Sequence, residues 1–280
     1  VIPSASSLPS NRRHLLSLPL KGSLKGKDVK DDGDPKPVEL MSFYDSRSLI
    51  SEAYRNLRTS ILLSSVSGNP PKMIMVTSSQ PGEGKTTTAI NTAITLAQAG
   101  GKVILLDCDM RNPRVHRAMN LYNTNGMSTF LSGNADLLST IQLSAVPNLA
   151  VICSGRLPPN PAELLGSPKM KQELNRLCEL YDHIVIDTPP VMAVADARII
   201  GTLVDGVILV IKGGEAPKEA VKRAARLLRD VRAHIIGAIL NNVDMRSPDY
   251  YYQSGYYAYG YGYKGDNMEA EAEAEKREGA

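Results

Sequence analysis

The stretch SSQPGEGKTTT, residues 78–88, gathers glycines, a lysine and hydroxyls at a spacing that holds phosphates. The phosphate-loop pattern is G-x-x-x-x-G-K-[ST]; Ser79 stands at its first glycine, and Gly84, Lys85 and Thr86 complete it. Gly82 and Gly84 let the backbone curl so that successive N–H groups face phosphate oxygens, and a helix N-terminus adds its positive dipole end. Lys85 is placed to bridge β- and γ-phosphates, and the Thr86 hydroxyl to ligate Mg2+. Two aspartates one residue apart, Asp107 and Asp109, end the apolar run in ILLDCDMR, and Asp187 ends another in IVIDTPP. Where the chain turns at a strand end, both members of the first pair can reach one cluster of metal-bound oxygens. Asp187 is the natural third partner for Mg2+ and its waters. One strand-end Asp is commonly a helix cap; three beside one phosphate loop point to nucleotide chemistry.

These residues need elements to position them. KMIMVTSS (72–79), KVILLDCD (102–109), NLAVICSG (148–155), HIVIDTPP (183–190), GVILVIK (206–212) and HIIGAILNNV (234–243) are short apolar runs that read as buried strands. KTTTAINTAITLAQAGG reads as a helix closed by Gly100 and Gly101. Leu49, Ile50, Ala53, Leu57 and Ile61 recur at helical spacing, predicting a helix from about Ser48 to Ser64. PKEAVKRAARLLRDVRA (217–233) predicts another, with Val221, Ala224, Ala225, Leu228 and Val231 inward and Lys218, Lys222, Arg223, Arg226, Arg229 and Arg232 outward. That basic face is either solvated or a docking patch for a partner, lipid or acidic segment. Alternating strands and helices give the fold class: α/β, a mostly parallel sheet with helices on both faces. In such sheets the site lies at the carboxyl ends of the strands, where every motif above falls.

Composition sets the bounds. The chain has 280 residues, 42% of them hydrophobic, which is enough for one large α/β domain with flexible ends. A formal charge of +3 is too mild to imply nucleic acid. Cys108, Cys153 and Cys178 fit no zinc spacing and read as buried thiols in a reducing compartment. No uncharged apolar run is long enough to cross a bilayer, and the start carries no signal-peptide pattern. Because the chain opens with Val1, a fragment or processed product is expected. Residues 1–45 read as a linker or arm, 46–248 as the folded domain and 249–280 as a flexible tail. The early cations Arg12, Arg13, Lys21, Lys25 and Lys27 suit an anionic membrane face or simply a solvated linker.

In the tail, YYYQSGYYAYGYGYK places eight of the 12 tyrosines between 250 and 263: Tyr250, Tyr251, Tyr252, Tyr256, Tyr257, Tyr259, Tyr261 and Tyr263. Glycine and serine keep such a segment mobile, and without Leu, Ile or Val it cannot bury itself. An acidic end, DNMEAEAEAEKREGA, follows and is given no function.

A phosphate loop followed one helix later by a strand ending Asp-x-Asp-x-Arg resembles the bacterial tyrosine kinases, within the deviant P-loop class that includes the MinD and ParA ATPases. Pro81-Gly82-Glu83-Gly84-Lys85-Thr86, SGRLPPNPAELL (154–165) and Glu52-x-x-Arg55-x-x-Arg58 are similar to motifs of those kinases. The early lysine that marks MinD and ParA is absent, with Gln80-Pro81 in its region. The resemblance runs from about Ser46 to the tail; Val1-Ile2-Pro3 also looks like the segment after the second membrane helix of kinase-fused polysaccharide co-polymerases.

The resemblance implies a cytoplasmic-side, membrane-associated autokinase that uses ATP and Mg2+ and acts in capsular or exopolysaccharide export. Gly82, Glu83, Gly84, Lys85, Thr86 and Thr87 would hold the nucleotide, and Thr86, Asp107 and Asp187 the metal. Asp107 or Asp109 would take the proton of a tyrosine, a phenol with pKa ~10. Arg111 would neutralise charge or dock the acceptor, and Asn241 or Asn242 would bond the adenine edge. Glu52, Arg55 and Arg58 would join subunits into a ring that presents each tyrosine tail to its neighbour's site; pairing within the helix is the alternative. Implied partners are a membrane co-polymerase segment, on the same or a separate chain, and a phosphotyrosine phosphatase. Two other readings stand beside this one. A MinD- or ParA-like switch ATPase is disfavoured by the missing lysine and the tyrosine tail. A chain-length regulator that binds nucleotide without transfer is disfavoured by the intact Lys85, Asp107, Asp109 and Asp187. There is no His-Arg-Asp or Asp-Phe-Gly signature, so kinase chemistry here is P-loop chemistry.

Overall fold

The structure is a computed structural model, and it describes residues 1–4, 37–64 and 69–244. A 3-10 turn (Val38–Leu40) and helices α1 (Met41–Tyr44) and α2 (Leu49–Leu63) precede β1 (Met73–Ser78), α3 (Lys85–Gln98) and β2 (Val103–Asp107). Short helices α4 (Val115–Ala118), α5 (Met127–Leu131) and α6 (Leu137–Thr140) lead to β3 (Ile141–Leu143) and β4 (Leu149–Ile152). Then come α7 (Pro161–Leu165), α8 (Pro168–Leu180), β5 (His183–Asp187), α9 (Asp196–Gly201), β6 (Gly206–Lys212), α10 (Lys218–Asp230) and β7 (Ile235–Asn241). Among the described residues the strands form one sheet in the order β3-β4-β2-β5-β1-β6-β7. All neighbours run parallel except β3, which lies antiparallel on the edge.

Strand side chains alternate between faces, and the core divides accordingly. Ile74, Val76, Val103, Leu105 and Val185 pack on one side with α3's Ala89, Ile90, Ala93 and Ile94 and α2's Ile50, Tyr54 and Ile61. Met75, Ile104, Leu106, Ile184 and Ile186 pack on the other with Met170, Leu174 and Leu177 of α8 and Ala224 and Leu228 of α10. A strand buried on both faces carries apolar residues at consecutive positions, which is why these runs are legible without alternation. The predicted helix from Ser48 is α2, and the Ser48 hydroxyl caps it by accepting from the Ser51 N–H at 3.1 Å.

The folded part starts earlier than the expected boundary at Ser46. The buried amide of Asn91, on α3, donates to the carbonyls of Val38 (3.3 Å) and Glu39 (2.9 Å) and accepts from the Ser42 N–H at 3.0 Å. One side chain thus fastens the 3-10 turn and α1 to the helix that follows the phosphate loop. Residues 1–4 also lie against the fold: Ile2 N–H donates to the Leu240 carbonyl (2.7 Å) and Ser4 N–H to that of Val243 (2.8 Å). Ile2 is buried with the first core layer. The arm's cations, residues 65–68 and the tyrosine cluster lie outside the described residues. Among the described residues no helix is long and apolar enough to cross a membrane.

Candidate phosphoryl-transfer site

Strands β1, β2 and β5 adjoin in the sheet, so their carboxyl ends bring three sequence-distant segments together. Asp107 and Asp187 are register partners on β2 and β5. The loop after β1 turns into α3 at Lys85, with Gly82 at φ +83° and Gly84 at φ +92°. Glycine is the residue that reaches such angles without Cβ strain. Ser79, at the pattern's first glycine, needs no positive φ. Its hydroxyl donates to both Glu83 carboxylate oxygens (2.9 Å each), and the Gln80 N–H donates to the same group at 2.9 Å. Glu83, expected to contact nucleotide, is therefore buried under the loop and braces it from within.

The charged groups meet at Lys85. Its ammonium lies 2.7 Å from Asp109 Oδ2, 3.5 Å from Asp187 Oδ1 and 3.2 Å from the Thr86 hydroxyl. Thr86 Oγ1 donates to Asp187 Oδ2 at 2.7 Å. Asp107 is fixed from both sides, accepting the Asp109 N–H (3.1 Å) and the Val115 N–H (3.2 Å). All three carboxylates are buried. Burial would lower the Lys85 ammonium, but Asp187, Asp109 and Asp107 outweigh it and hold its pKa above the usual value. Burial, with Asp187 alongside, pushes Asp107 well above the ordinary carboxylate range. Burial raises Asp187 too, against the pull of Lys85 and the Thr86 hydroxyl.

Three buried carboxylates against one ammonium leave the site short of positive charge. Its ligating atoms are a hydroxyl and carboxylate oxygens, the hard donors that suit Mg2+. Among the described residues no group of three or more His, Cys, Asp or Glu side chains forms a metal cage. A metal here would take one hydroxyl, carboxylates through water, and ligand phosphates, which is how Mg2+ is usually held. The residues fit the group.

Other expected site residues fall as follows. Thr87 is half-buried in the first turn of α3. Asn241, at the end of β7, reaches the loop and donates Nδ2 to the Glu83 carbonyl at 3.0 Å. Asn242 is exposed, at φ +57°. Arg111 turns to α9 and pairs with buried Asp196 through Nε (2.9 Å) and Nη2 (3.1 Å). Asp196 was not among the expected residues, and its place in an ordinary helical start gives no sequence signal. On α2, Arg55 pairs with Glu52 within the helix at 2.8 Å. Arg58 donates to the Thr95 carbonyl at 3.1 Å, in the last turn of α3, where carbonyls lack helical partners. On α10, which ends at Asp230, Ala224 and Leu228 are buried and Val221 and Ala225 half-buried; Val231 just beyond it is half-buried, and the expected cations, Arg232 past the helix end included, are exposed. Cys108 and Cys153 are buried free thiols and Cys178 is half-buried.

A family model described as an AAA domain matches residues 71–240. The chain is 41% identical over 228 residues to the tyrosine-protein kinase YwqD of Bacillus subtilis, covering 81% of this chain and 94% of that one. The solved kinase domain of Escherichia coli tyrosine kinase ETK is 33% identical, with a TM-score of 0.71 over 80% of this chain and 84% of that one. The septum site-determining protein MinD of Pyrococcus horikoshii, solved with Mg-ADP, is 23% identical with a TM-score of 0.53 over 60% of this chain and 69% of that one. With MinD the likeness is one of fold.

Proposed function

The chain belongs to the bacterial tyrosine-protein kinases, P-loop nucleotide-binding enzymes, and from that premise we propose that it uses Mg·ATP to phosphorylate the tyrosine cluster 250–263 of a neighbouring copy. The observation that carries the proposal is the convergence of Lys85, Asp109, Asp187 and Thr86 at the mouth of the phosphate loop. When bound, Mg·ATP supplies the phosphoryl group and the cation that balances the buried carboxylates.

The chain's own residues do the rest. The loop's N–H groups and the start of α3 bind phosphate oxygens, and Lys85 neutralises charge on the transferred group. Thr86, Asp107 and Asp187 would hold a magnesium ion, which would balance the charge of the bound phosphates. Asp107 or Asp109 accepts the phenol proton as the tyrosine oxygen bonds to the γ-phosphorus and the bond from that phosphorus to the β–γ bridging oxygen breaks, so that ADP leaves. Gly84 and Asn241 set the loop's shape, and Asn242 remains the candidate for the base. The segment 250–263, hydroxyl-rich and unable to bury itself, suits an acceptor that must enter another subunit's site. Each phosphate adds roughly −1.5 to −2 charge, so multiple phosphorylation would repel neighbouring tails and release an assembly. The same reading makes Glu52, Arg55 and Arg58 the subunit contact of a ring. It places the enzyme at the cytoplasmic face of a bacterial plasma membrane, with a polysaccharide co-polymerase segment and a phosphotyrosine phosphatase as partners.

The test is intact-mass and peptide mass spectrometry after incubation with Mg·ATP, beside Lys85→Met. Several phosphates mapping to 250–263 in the parent alone are expected. ATP turnover without phosphotyrosine would instead make the chain a switch ATPase. A chain lacking 250–263 should still label a separate Lys85→Met chain that carries the tail; failure to do so would refute transfer between copies.

A further inference from the structure

Asp196 lies outside the roles assigned above, and the connections of its pair with Arg111 explain why it is there. Asp196 opens α9 and is fully buried, with both carboxylate oxygens engaged by Arg111. A carboxylate taken wholly out of water is costly unless paired, and a bidentate guanidinium fixes orientation as well as charge. Arg111 itself is 42% exposed, so the pair anchors a surface turn to the interior. That turn runs from Asp109 to Asn112. Asp109 Oδ2 grips Lys85, its Oδ1 accepts the Asn112 N–H at 3.0 Å, and Met110 between them is buried. On the other side, Asp196 ends the segment that leaves β5 at Asp187, and Val191 within that segment donates its N–H to the Ser78 carbonyl at 2.9 Å. The pair therefore ties the turn that carries Asp109 to the segment that follows Asp187.

We infer that Asp196 and Arg111 form a clamp that positions Asp109 against Lys85, so that Arg111 acts on transfer through Asp109 rather than as a ligand of nucleotide or acceptor. This deepens the kinase reading and rests on it. The clamp sets the geometry of groups that act as charge moves during transfer. Loosening it lowers kcat and leaves nucleotide affinity, set by the phosphate loop, in place.

The experiment uses the full chain and compares Asp196→Asn, Arg111→Gln, Arg111→Lys and the double variant Asp196→Asn/Arg111→Gln. Initial phosphotyrosine rates give kcat and KM for Mg·ATP. Binding of a fluorescent ADP analogue, thermal midpoint and hydrogen–deuterium exchange across 107–113 are read separately. Each charge-removing single variant should lower kcat roughly 10- to 100-fold, with KM and analogue affinity within about twofold, a cost that rests in the geometry alone. The double variant should be no slower than the worse single one, exchange across 109–112 should rise, and Arg111→Lys should recover part of the rate. If Arg111→Gln impairs transfer or binding while Asp196→Asn does not, Arg111 touches substrate directly and the clamp is wrong. An unchanged kcat in Asp196→Asn overturns it as well. A joint fall of kcat, analogue affinity and thermal midpoint would make the pair a general scaffold contact. Arg111→Gln, at a half-exposed position, keeps the question answerable if Asp196→Asn does not fold. Should the parent itself transfer no phosphate, the kinase reading fails, while exchange across 109–112 still reports whether the pair holds the turn.

Discussion

Replacing Gly84 by alanine tests how the phosphate loop is held. Gly84 sits at φ +92°, and a Cβ there would lie 1.9 Å from Asn241 Nδ2. Two costs follow. Forcing an L-residue into the left-handed region costs ~1–2 kcal/mol. The Asn241 amide must also swing away, giving up its bond to the Glu83 carbonyl, worth ~0.5–1.5 kcal/mol. Gly82 is the control, because at φ +83° it has nothing within 4 Å of its Cβ position and carries the backbone cost alone. Gly84→Ala should therefore destabilise by about 1.5–3.5 kcal/mol and Gly82→Ala by about 1–2 kcal/mol. At ~2–4 °C per kcal/mol for a domain of this size, the thermal midpoint should fall by roughly 3–14 °C and 2–8 °C respectively. Asn241→Ala provides the cross-check. It should cost ~0.5–1.5 kcal/mol in the parent but almost nothing beside Gly84→Ala, where the bond is already lost. The assay is thermal and denaturant unfolding in EDTA without nucleotide, so that ligand binding does not enter. The reasoning is refuted if Gly84→Ala costs no more than Gly82→Ala, or if Asn241→Ala costs the same in both backgrounds.

Three further outcomes are expected. Changing Glu52, Arg55 and Arg58 together to alanine should shift the mass seen by light scattering toward monomer, and Arg58→Ala alone should lower stability by about 1 kcal/mol through the Thr95 carbonyl it leaves unbonded; an unchanged mass would return these residues to intrachain pairing. Burial, with Asp107 nearby, pushes the Cys153 thiol up to about 12, and Cys108 is also raised, so a thiol reagent at pH 8 should label these two only after unfolding; prompt labelling of either in the native protein would contradict that burial. Burial holds His183 below its usual pKa, so the unfolded chain binds the proton more tightly and stability falls as pH drops through about 6.5 toward the lower folded value. His183→Gln should flatten the stability profile across that window, measured by denaturant midpoints.

Much of the site was legible because its parts are local. The loop's glycines, lysine and threonine act within a few residues of one another, so spacing alone reveals them. The central strands announce themselves because two-sided burial leaves them uninterrupted apolar runs. The carboxylates follow from a rule of the fold, that a parallel sheet gathers its strand ends. The supporting contacts obey no such rule. Asn241 meets the Glu83 carbonyl across 158 residues, Arg111 meets Asp196 across 85, and Asn91 accepts from Ser42 across 49. None has a sequence signature, since an Asn at a strand end or an Asp at a helix start is ordinary in either role. The sequence by itself determined the fold class, the phosphate loop and the three carboxylates, because backbone period and loop chemistry are written in neighbouring residues. Tertiary structure alone decided that Glu83 braces the loop from below, that Arg111 is clamped by a buried partner, and that folded elements begin before Ser46. Those choices depend on which polar groups the packed sheet leaves buried and in need of a partner, and that is settled only when distant segments close on one another.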